Sequence, residues 1–302
     1  MFKCSRFKWT HSHKDFNLLN MITTLDHLII AVEDLDKAEE DYTKIFGTQP
    51  VWKGEHKELG TTNSLFNFQN TYFELLSASG EGLGAMLVQQ ALKESGEGLI
   101  GMVLGTDNIK EVTQILKNKS FLINEPGEGV GTNFKNDEVR KWKNLFLPPE
   151  LTRGIFSFII EHTHGALPKH DLKNSATINK LDHLVINTND ADGFIEIYKD
   201  VFGIRLALDK HIEHWNKRML FFRLNQTTLE VIEKKDSLGS HDSLWGLAWS
   251  VASIDEVHKR LLGEGVDISS IKDGIKENTR VATINSHTHG VPTLLIEHVQ
   301  PA

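Results

Sequence analysis

The stretch LDHLII at residues 25–30 recurs as LDHLVI at residues 181–186, so that His27 and His183 lie 156 residues apart. The same spacing relates two further pairs of segments, Phe46-Gly47 with Phe202-Gly203 and Phe73-Glu74-Leu75 with Leu229-Glu230-Val231. Chance rarely supplies three landmarks with one spacing. The sequence therefore predicts two copies of one structural unit.

The first copy has the pattern of a strand followed by a helix and a small sheet. Residues 25–32 are rich in Leu, Ile and Val, which is typical of a strand. Asp34 stands where a helix N-cap belongs, apolar residues follow at helical spacing, and Gly47 supplies the helix stop. Three strand-like segments come next, near residues 50–53, 64–69 and 71–77. This order predicts a βαβββ module.

Each half contains a second and weaker module of the same kind. In the first half, an apolar stretch at residues 101–105 and a helix after Asp107 precede a closing strand at residues 156–161. The corresponding segments of the second half are residues 247–251, a helix with the capping-box pair Ser253 and Glu256, and residues 294–297. We therefore expect two modules in each half.

The chain divides into two predicted domains, residues 22–166 and residues 181–300, joined by a polar linker at residues 167–180. The stretch 123–151 carries several Gly residues and Pro148-Pro149, and we interpret it as a long loop over a pocket. Residues 1–20 lack apolar periodicity and are predicted to be a disordered extension, with Met21 as an alternative start.

Composition excludes several classes of protein. The net charge of −8 argues against a nucleic-acid binder, because phosphate binding needs clustered Lys and Arg. Cys4 is the single cysteine, so nothing marks an oxidising compartment, and no apolar run reaches the length of a membrane span. We expect a cytoplasmic protein that binds a small molecule. A homo-oligomer is compatible with this sequence.

These residues resemble the vicinal-oxygen-chelate superfamily of glyoxalases, bleomycin resistance proteins and extradiol dioxygenases. The resemblance rests on the Leu-Asp-His strand, the helix that ends in Phe-Gly and the later strand that carries a Glu. The first half more narrowly resembles the glyoxalase-like group, through segments at residues 54–56, 60–63, 72–76 and 158–162. The resemblance implies an α+β fold in which tandem βαβββ modules pair into cupped antiparallel sheets.

The resemblance also implies a metal site in each cup. Ligands in the superfamily come from the first and last strands of each paired module, which points to His27, Glu74 and Glu161 in the first half. The second half offers His183, Glu230 and Glu297 as less favoured equivalents. Imidazole and carboxylate ligands suit one divalent ion of iron, manganese, nickel or zinc. In this interpretation Glu74 and Glu161 are also catalytic, and His56, Thr61 and Asn63 bind the substrate.

The sequence departs from the superfamily pattern at one ligand position. Gly101 stands there in the first half and Gly246 in the second, and neither can bind a metal through a side chain. His27 and His183 could equally be structural histidines in ion pairs with buried glutamates. His162 and His298 directly follow the strand glutamates, so alternation would place them on the opposite face.

Three functions stay open at this point. The first is a metal-dependent isomerase, lyase or ring-cleaving oxygenase, with a glutamate that abstracts a proton beside a carbonyl group. The second is a metal-free protein that binds or sequesters a small molecule, as in antibiotic resistance. The third assigns activity to one half and a scaffold role to the other. We favour an enzyme with its site in the first half.

Removing residues 1–20 should leave the stability of the folded chain unchanged, because this segment lacks the apolar periodicity needed to dock. A chain that begins at Met21 is expected to have the same Tm as the full chain in a thermal melt. A large drop in Tm would show that the extension packs on a domain.

Overall fold

The computed structural model describes residues 21–169, 174–234 and 242–299. The predicted extension at residues 1–20 lies outside the described residues, as does part of the predicted linker. None of the helices within these ranges has the length and apolar character needed to cross a membrane.

The first half forms one sheet of eight strands with four helices. The strands are β1 (Thr24–Ala31), β2 (Trp52–His56), β3 (Thr61–Asn67), β4 (Tyr72–Ala78), β5 (Gly98–Gly105), β6 (Gly127–Asn133), β7 (Val139–Phe146) and β8 (Phe156–His164). The helices are α1 (Leu35–Phe46), α2 (Leu83–Ser95), α3 (Ile109–Asn118) and α4 (Pro149–Thr152). The strands and helices form the two predicted βαβββ modules, and α2, which the sequence analysis did not predict, joins them.

The first sheet closes on itself as a barrel, in the order β1-β4-β3-β2-β6-β7-β8-β5. Strand β1 pairs in parallel with β4 and antiparallel with β5, so the two modules meet at the β1–β5 pair. The closing contact is the short pairing of β2 with β6, where Gly54 lies opposite Asn133. A Cβ atom at Gly54 would lie 2.3 Å from the carbonyl oxygen of Thr132, so closure requires glycine there.

The second half forms another sheet of eight strands with two helices. The strands are β9 (Ile178–Thr188), β10 (Arg205–Ile212), β11 (Lys217–Leu224), β12 (Thr227–Glu233), β13 (Ser243–Val251), β14 (Lys272–Asp273), β15 (Thr279–Ile284) and β16 (Thr293–His298). Helix α5 (Ala191–Ile195) continues as a π-helix over Glu196–Val201, and α6 is Ile254–Gly263. This sheet is open and has the order β10-β11-β12-β9-β13-β16-β15-β14.

The predicted helix boundaries are confirmed at several termini. The Asp34 carboxylate accepts a hydrogen bond from the backbone N–H of Lys37, and the Ser253 hydroxyl accepts one from that of Glu256. Gly47 and Gly203 end their helices with φ angles of +71° and +75°. Glycine enters this left-handed region without a steric cost, which explains why both copies place it there.

The interpretation of residues 123–151 as a long loop is wrong. This stretch contains the antiparallel hairpin of β6 and β7 as well as the short helix α4. Its glycines have a packing role: a Cβ atom at Gly129 would lie 2.2 Å from Nε1 of Trp142 on the neighbouring strand. Glycine at this position makes room for an indole ring. Because a glycine-rich stretch is also typical of loops, the sequence alone suggested a loop.

The two sheets share a hydrophobic core. Helices and outer sheet faces from both halves pack into one cluster of buried side chains. Trp249 on β13 is 1% exposed, and its ring centroid lies 5.0 Å from that of Phe46 and 5.9 Å from that of Phe73. The second half therefore packs directly against the strand that carries Glu74.

Arg260 on α6 should be a major link between the halves. Its guanidinium donates hydrogen bonds to the backbone carbonyls of Lys44 and Ile45, at the end of α1, and of Ala176. Replacing Arg260 with Met would leave these carbonyls without their partner. We expect the free energy of unfolding to fall by roughly 2 kcal/mol, measured by urea denaturation.

Lys259→Met is the matched control, because Lys259 lies next to Arg260 on the same helix and is exposed. It should leave the free energy of unfolding nearly unchanged. Equal losses in the two variants would contradict a specific role for Arg260.

Candidate functional site

Two ionisable side chains from the repeated motif meet inside the barrel. His27 on β1 and Glu74 on β4 are 3% and 6% exposed. The Nε2 atom of His27 lies 3.3 Å from Oε2 of Glu74. Strand alternation explains this meeting, because β1 and β4 turn one face to the helices and the other to the interior.

Asp26 extends this pair into a relay. Its Oδ1 lies 2.7 Å from Nδ1 of His27, and its Oδ2 lies 3.0 Å from Nε2 of His162 on β8. A register shift between Leu25 and His27 makes Asp26 the extra residue of a bulge on β1. The result is a continuous chain of contacts through His162, Asp26, His27 and Glu74.

The pKa values of the relay show how its charges are balanced. Burial would lower the pKa of His27, but hydrogen bonds with Asp26 and Glu74 raise it above its ordinary value. Burial would raise the pKa of Glu74 and of Asp26, yet hydrogen bonds with His27, and for Asp26 also with His162, hold both below their ordinary values. These shifts favour an imidazolium at His27 between two carboxylates.

Three polar residues expected to bind substrate lie beside the relay. The Asn63 amide donates a hydrogen bond of 2.7 Å to Oε1 of Glu74, and its Nδ2 lies 3.5 Å from Nε2 of His56. His56 Nδ1 lies 3.0 Å from the Thr61 hydroxyl. Burial lowers the pKa of His56. His56, Thr61 and Asn63 thus form one network with Glu74.

Sequence reasoning missed a stack of side chains on the other side of His27. The Tyr72 ring stacks on the His27 imidazole with centroids 4.3 Å apart. The Arg140 guanidinium carbon lies 5.4 Å from the Tyr72 ring centroid and 5.6 Å from that of Trp52. Arg140 comes from the hairpin interpreted as a loop, so the sequence carried no signal that its side chain is buried.

Glu161 does not join this site, and the prediction that it faces the cup is wrong. Its Oε2 accepts a hydrogen bond of 2.9 Å from the backbone N–H of Ile109, at the start of α3. Phe158 and Ile160 pack inside the barrel, so alternation turns Glu161 toward the helices and His162 inward. The register of β8 on β5 makes Phe158 the counterpart of Glu74, and Glu161 lies three positions after Phe158.

The residues at the four ligand positions do not fit a divalent metal of the superfamily type. These positions carry His27, Glu74, Gly101 and Phe158, so only two offer ligand atoms. A Cβ atom at Gly101 would lie 2.9 Å from the Phe156 ring, which leaves no room for a longer side chain. Within the described ranges, no group of three His, Cys, Asp or Glu side chains is placed to hold a metal ion.

The second sheet repeats the relay in a looser form. His183 Nδ1 lies 2.8 Å from Asp182, and its Nε2 lies 3.8 Å from Glu230. His298 contacts Asp182 at 2.6 Å. Met219 stands where the first sheet has Asn63, and burial raises the pKa of Glu230.

The prediction that Glu297 faces the second cup is also wrong. Its Oε2 accepts a hydrogen bond of 3.2 Å from Arg280, which also pairs with Asp255 in the first turn of α6. Ile296 packs on the concave face, so alternation turns Glu297 to the helix side, as at Glu161.

Two clefts open near the relay, with volumes of about 380 Å³ and 260 Å³, and Asp26 lines both of them. Tyr72 lines the larger cleft and His162 the smaller one. The relay can therefore be approached from the surface at its Asp26 end.

The fold and the buried relay define a member of a superfamily built from paired βαβββ modules. Residues 25–202 match the profile of the "Glyoxalase-like domain", and residues 182–283 match that of the "Glyoxalase/Bleomycin resistance protein/Dioxygenase superfamily". The first match covers more than half of the chain. The chain therefore belongs to the glyoxalase-like family within the vicinal-oxygen-chelate superfamily. No curated protein matches this sequence.

Solved structures agree with this fold over most of the chain. A 4-hydroxymandelate synthase mutant from Streptomyces coelicolor is 12% identical, covers 93% of this chain and 94% of its own, and gives a TM-score of 0.66. An Mn(II)-bound glyoxalase from Novosphingobium aromaticivorans is 17% identical, with coverages of 93% and 84% and a TM-score of 0.62. A hypothetical protein from Staphylococcus aureus is 13% identical, with coverages of 91% and 100% and a TM-score of 0.63. Identities this low show the fold alone.

The charge state of His27 should make stability depend on pH. Because its pKa is raised, its contribution is complete below the ordinary value of 6.5 and is lost as the pH rises through the folded-state pKa. We expect the free energy of unfolding of the wild type to fall as the pH rises above 6.5, with a smaller fall in His27→Gln. Urea denaturation across this range measures both slopes.

His183→Gln provides the matched control, because the His183 side chain is 16% exposed and that of His27 is 4% exposed. This variant should keep most of the wild-type slope. A His27→Gln slope identical to the wild type would show that His27 is not the buried imidazolium.

Proposed function

We propose that this protein is an isomerase or lyase that moves a proton on a small oxygenated molecule inside the first barrel. The observation that carries the proposal is the buried Glu74 carboxylate, held ionised by His27 on one oxygen and by Asn63 on the other. A buried carboxylate that stays charged at neutral pH can act as a general base.

The proposed reaction begins at a carbon beside a carbonyl group. A C–H bond breaks, the proton passes to a free lone pair on a Glu74 oxygen, and the electron pair moves onto the carbonyl oxygen as an enolate. Each carboxylate oxygen has a second lone pair beyond its existing hydrogen bond. If the first carbon carries a hydroxyl group, transfer of the hydroxyl proton to the enolate oxygen and return of the Glu74 proton to the former carbonyl carbon complete an isomerisation. Expulsion of a leaving group from the carbon on the other side of the first carbon completes an elimination instead.

The neighbours of Glu74 suit the charges in this step. His27 as an imidazolium stabilises the ionised base before proton transfer and can share its proton afterwards. Burial raises the pKa of Tyr72 well above its ordinary value, so its phenol stays protonated and can donate a hydrogen bond to an enolate oxygen. The proposed steps use only these side chains. They do not require a metal ion at the ligand positions where this chain has Gly101 and Phe158.

The second sheet is less suited to the same chemistry. Glu230 has Met219 where Glu74 has Asn63, and its contact with His183 is longer, at 3.8 Å. We therefore place the activity in the first barrel.

One observation favours a second candidate function, a protein that holds its ligand without turning it over. Both Glu74 oxygens already accept hydrogen bonds, and the lowered pKa of this carboxylate weakens it as a base. The same groups would then recognise hydroxyl or amine groups of a bound molecule. Turnover distinguishes the two candidates.

Glu74→Gln should abolish proton transfer while it preserves the shape of the site. A panel of 2-oxo acids and neutral α-hydroxyketones in D₂O is followed by proton NMR, which records the loss of signal from hydrogens beside the carbonyl. We expect wild-type protein to accelerate exchange for at least one compound, and Glu74→Gln to lower that rate by roughly 100-fold or more.

Glu161→Gln is the matched control, because this carboxylate contacts α3 and not the barrel interior. It should exchange at the wild-type rate. If panel compounds bind to the wild type but none exchanges above the uncatalysed rate, the sequestering function replaces the enzyme.

A further inference from the structure

Arg140 is a buried cation without a charge partner. Its side chain lies on β7 inside the barrel, and the residue is 6% exposed. Among the described residues it forms no ion pair with a carboxylate, and its Nε atom has no hydrogen-bond partner. The Tyr72 ring beside the guanidinium carries a neutral phenol, because burial raises its pKa well above the ordinary value. Burying an unpaired charge is costly, so this arrangement needs a reason beyond stability.

The surroundings of Arg140 hold it in place without neutralising it. The guanidinium lies over the rings of Trp52 and Tyr72, and such contacts orient a cation through the π face. The nearby carboxylates Asp26 and Glu74 are already paired with His27. The charges of Asp26, Glu74, His27 and Arg140 sum to zero, but both carboxylates contact His27 and neither forms an ion pair with the guanidinium.

We propose that Arg140 is the anion-recognition residue of the first barrel and that the ligand is a small monocarboxylate with a planar apolar body. The inference deepens the proposed function, because it names the class of molecule on which Glu74 would act. A guanidinium presents paired N–H donors that match a carboxylate in geometry and charge. A ligand carboxylate would supply the direct ion-pair partner that the guanidinium lacks among the described residues.

The apolar part of the ligand has a matching wall. Phe158 and Ile160 pack together inside the barrel, with Trp142 against them. The Trp142 ring also lies edge-on to His56, with centroids 5.7 Å apart. Trp142 therefore joins this apolar wall to the network of His56, Asn63 and Glu74.

Two variants of Arg140 separate a role in ligand binding from a role in stability. Arg140→Met keeps the length of the side chain and removes its charge. Because the charge is unpaired in the ligand-free protein, we expect Tm to stay the same or rise. Affinity for carboxylates should fall by roughly 10- to 100-fold. Arg140→Lys should recover only part of this affinity, because an ammonium group lacks the paired donors.

The probes are benzoate, salicylate and phenylpyruvate, each compared with its neutral amide and with inorganic phosphate. Binding is measured by isothermal titration calorimetry and by tryptophan fluorescence, since Trp52 and Trp142 lie at the site. Arg280→Gln is the matched control: Arg280 is already paired with Asp255, and the variant should bind as the wild type does. Wild-type protein should bind carboxylates and not amides.

The outcomes for Arg140 and for Glu74 can be told apart. Carboxylate binding that depends on Arg140, without hydrogen exchange, supports this inference and contradicts the enzyme. Exchange of neutral ketones that is unaffected in Arg140→Met supports the enzyme and overturns this inference. Equal binding of acids and amides, binding of phosphate only, or a large fall in the Tm of Arg140→Met would each overturn it as well.

Discussion

The burial of two carboxylates in the interior of a barrel depends on the imidazolium between them. Asp26 and Glu74 would each be costly to bury alone, and His27 contacts both. This requirement fixes the ring orientation of His27, which in turn provides the surface on which Tyr72 stacks. Tyr72 then supports Arg140. The order of the polar groups inside the barrel follows from one ion-paired histidine.

Closure of the first sheet explains why its relay is tighter than that of the second. Gly54 allows β2 to approach β6, and the glycines of β6 make room for Trp142. The second sheet is open, and its His183 and Glu230 side chains are 16% and 20% exposed. Solvent screens their interaction, so the same motif forms a weaker contact there. The same motif thus occurs in both halves, and closure of the first sheet changes its electrostatic surroundings.

Through the shared core, side chains of the second half help to hold in place the strand that carries Glu74. Phe73 precedes Glu74 on β4 and points to the opposite face, where it packs against Phe46 and Trp249. Arg260 holds the end of α1 through backbone carbonyls. Buried aromatic contacts and satisfied carbonyls resist displacement, so these contacts stabilise the position of β4. A scaffold role for the second half agrees with its looser relay.

The sequence by itself determined the repeat, the βαβββ modules, the helix caps at Asp34 and Ser253, and the pairing of His27 with Glu74. These features depend on local chemistry or on alternation within one strand, which residue order encodes directly. Tertiary structure alone decided the orientation of Glu161 and Glu297, the hairpin that carries Arg140, and the closure of the barrel. The register between neighbouring strands decides which face of the sheet each side chain occupies. A slip of one residue moves every side chain of the strand to the opposite face. Long-range hydrogen bonding fixes that register, and no local pattern in this sequence records it.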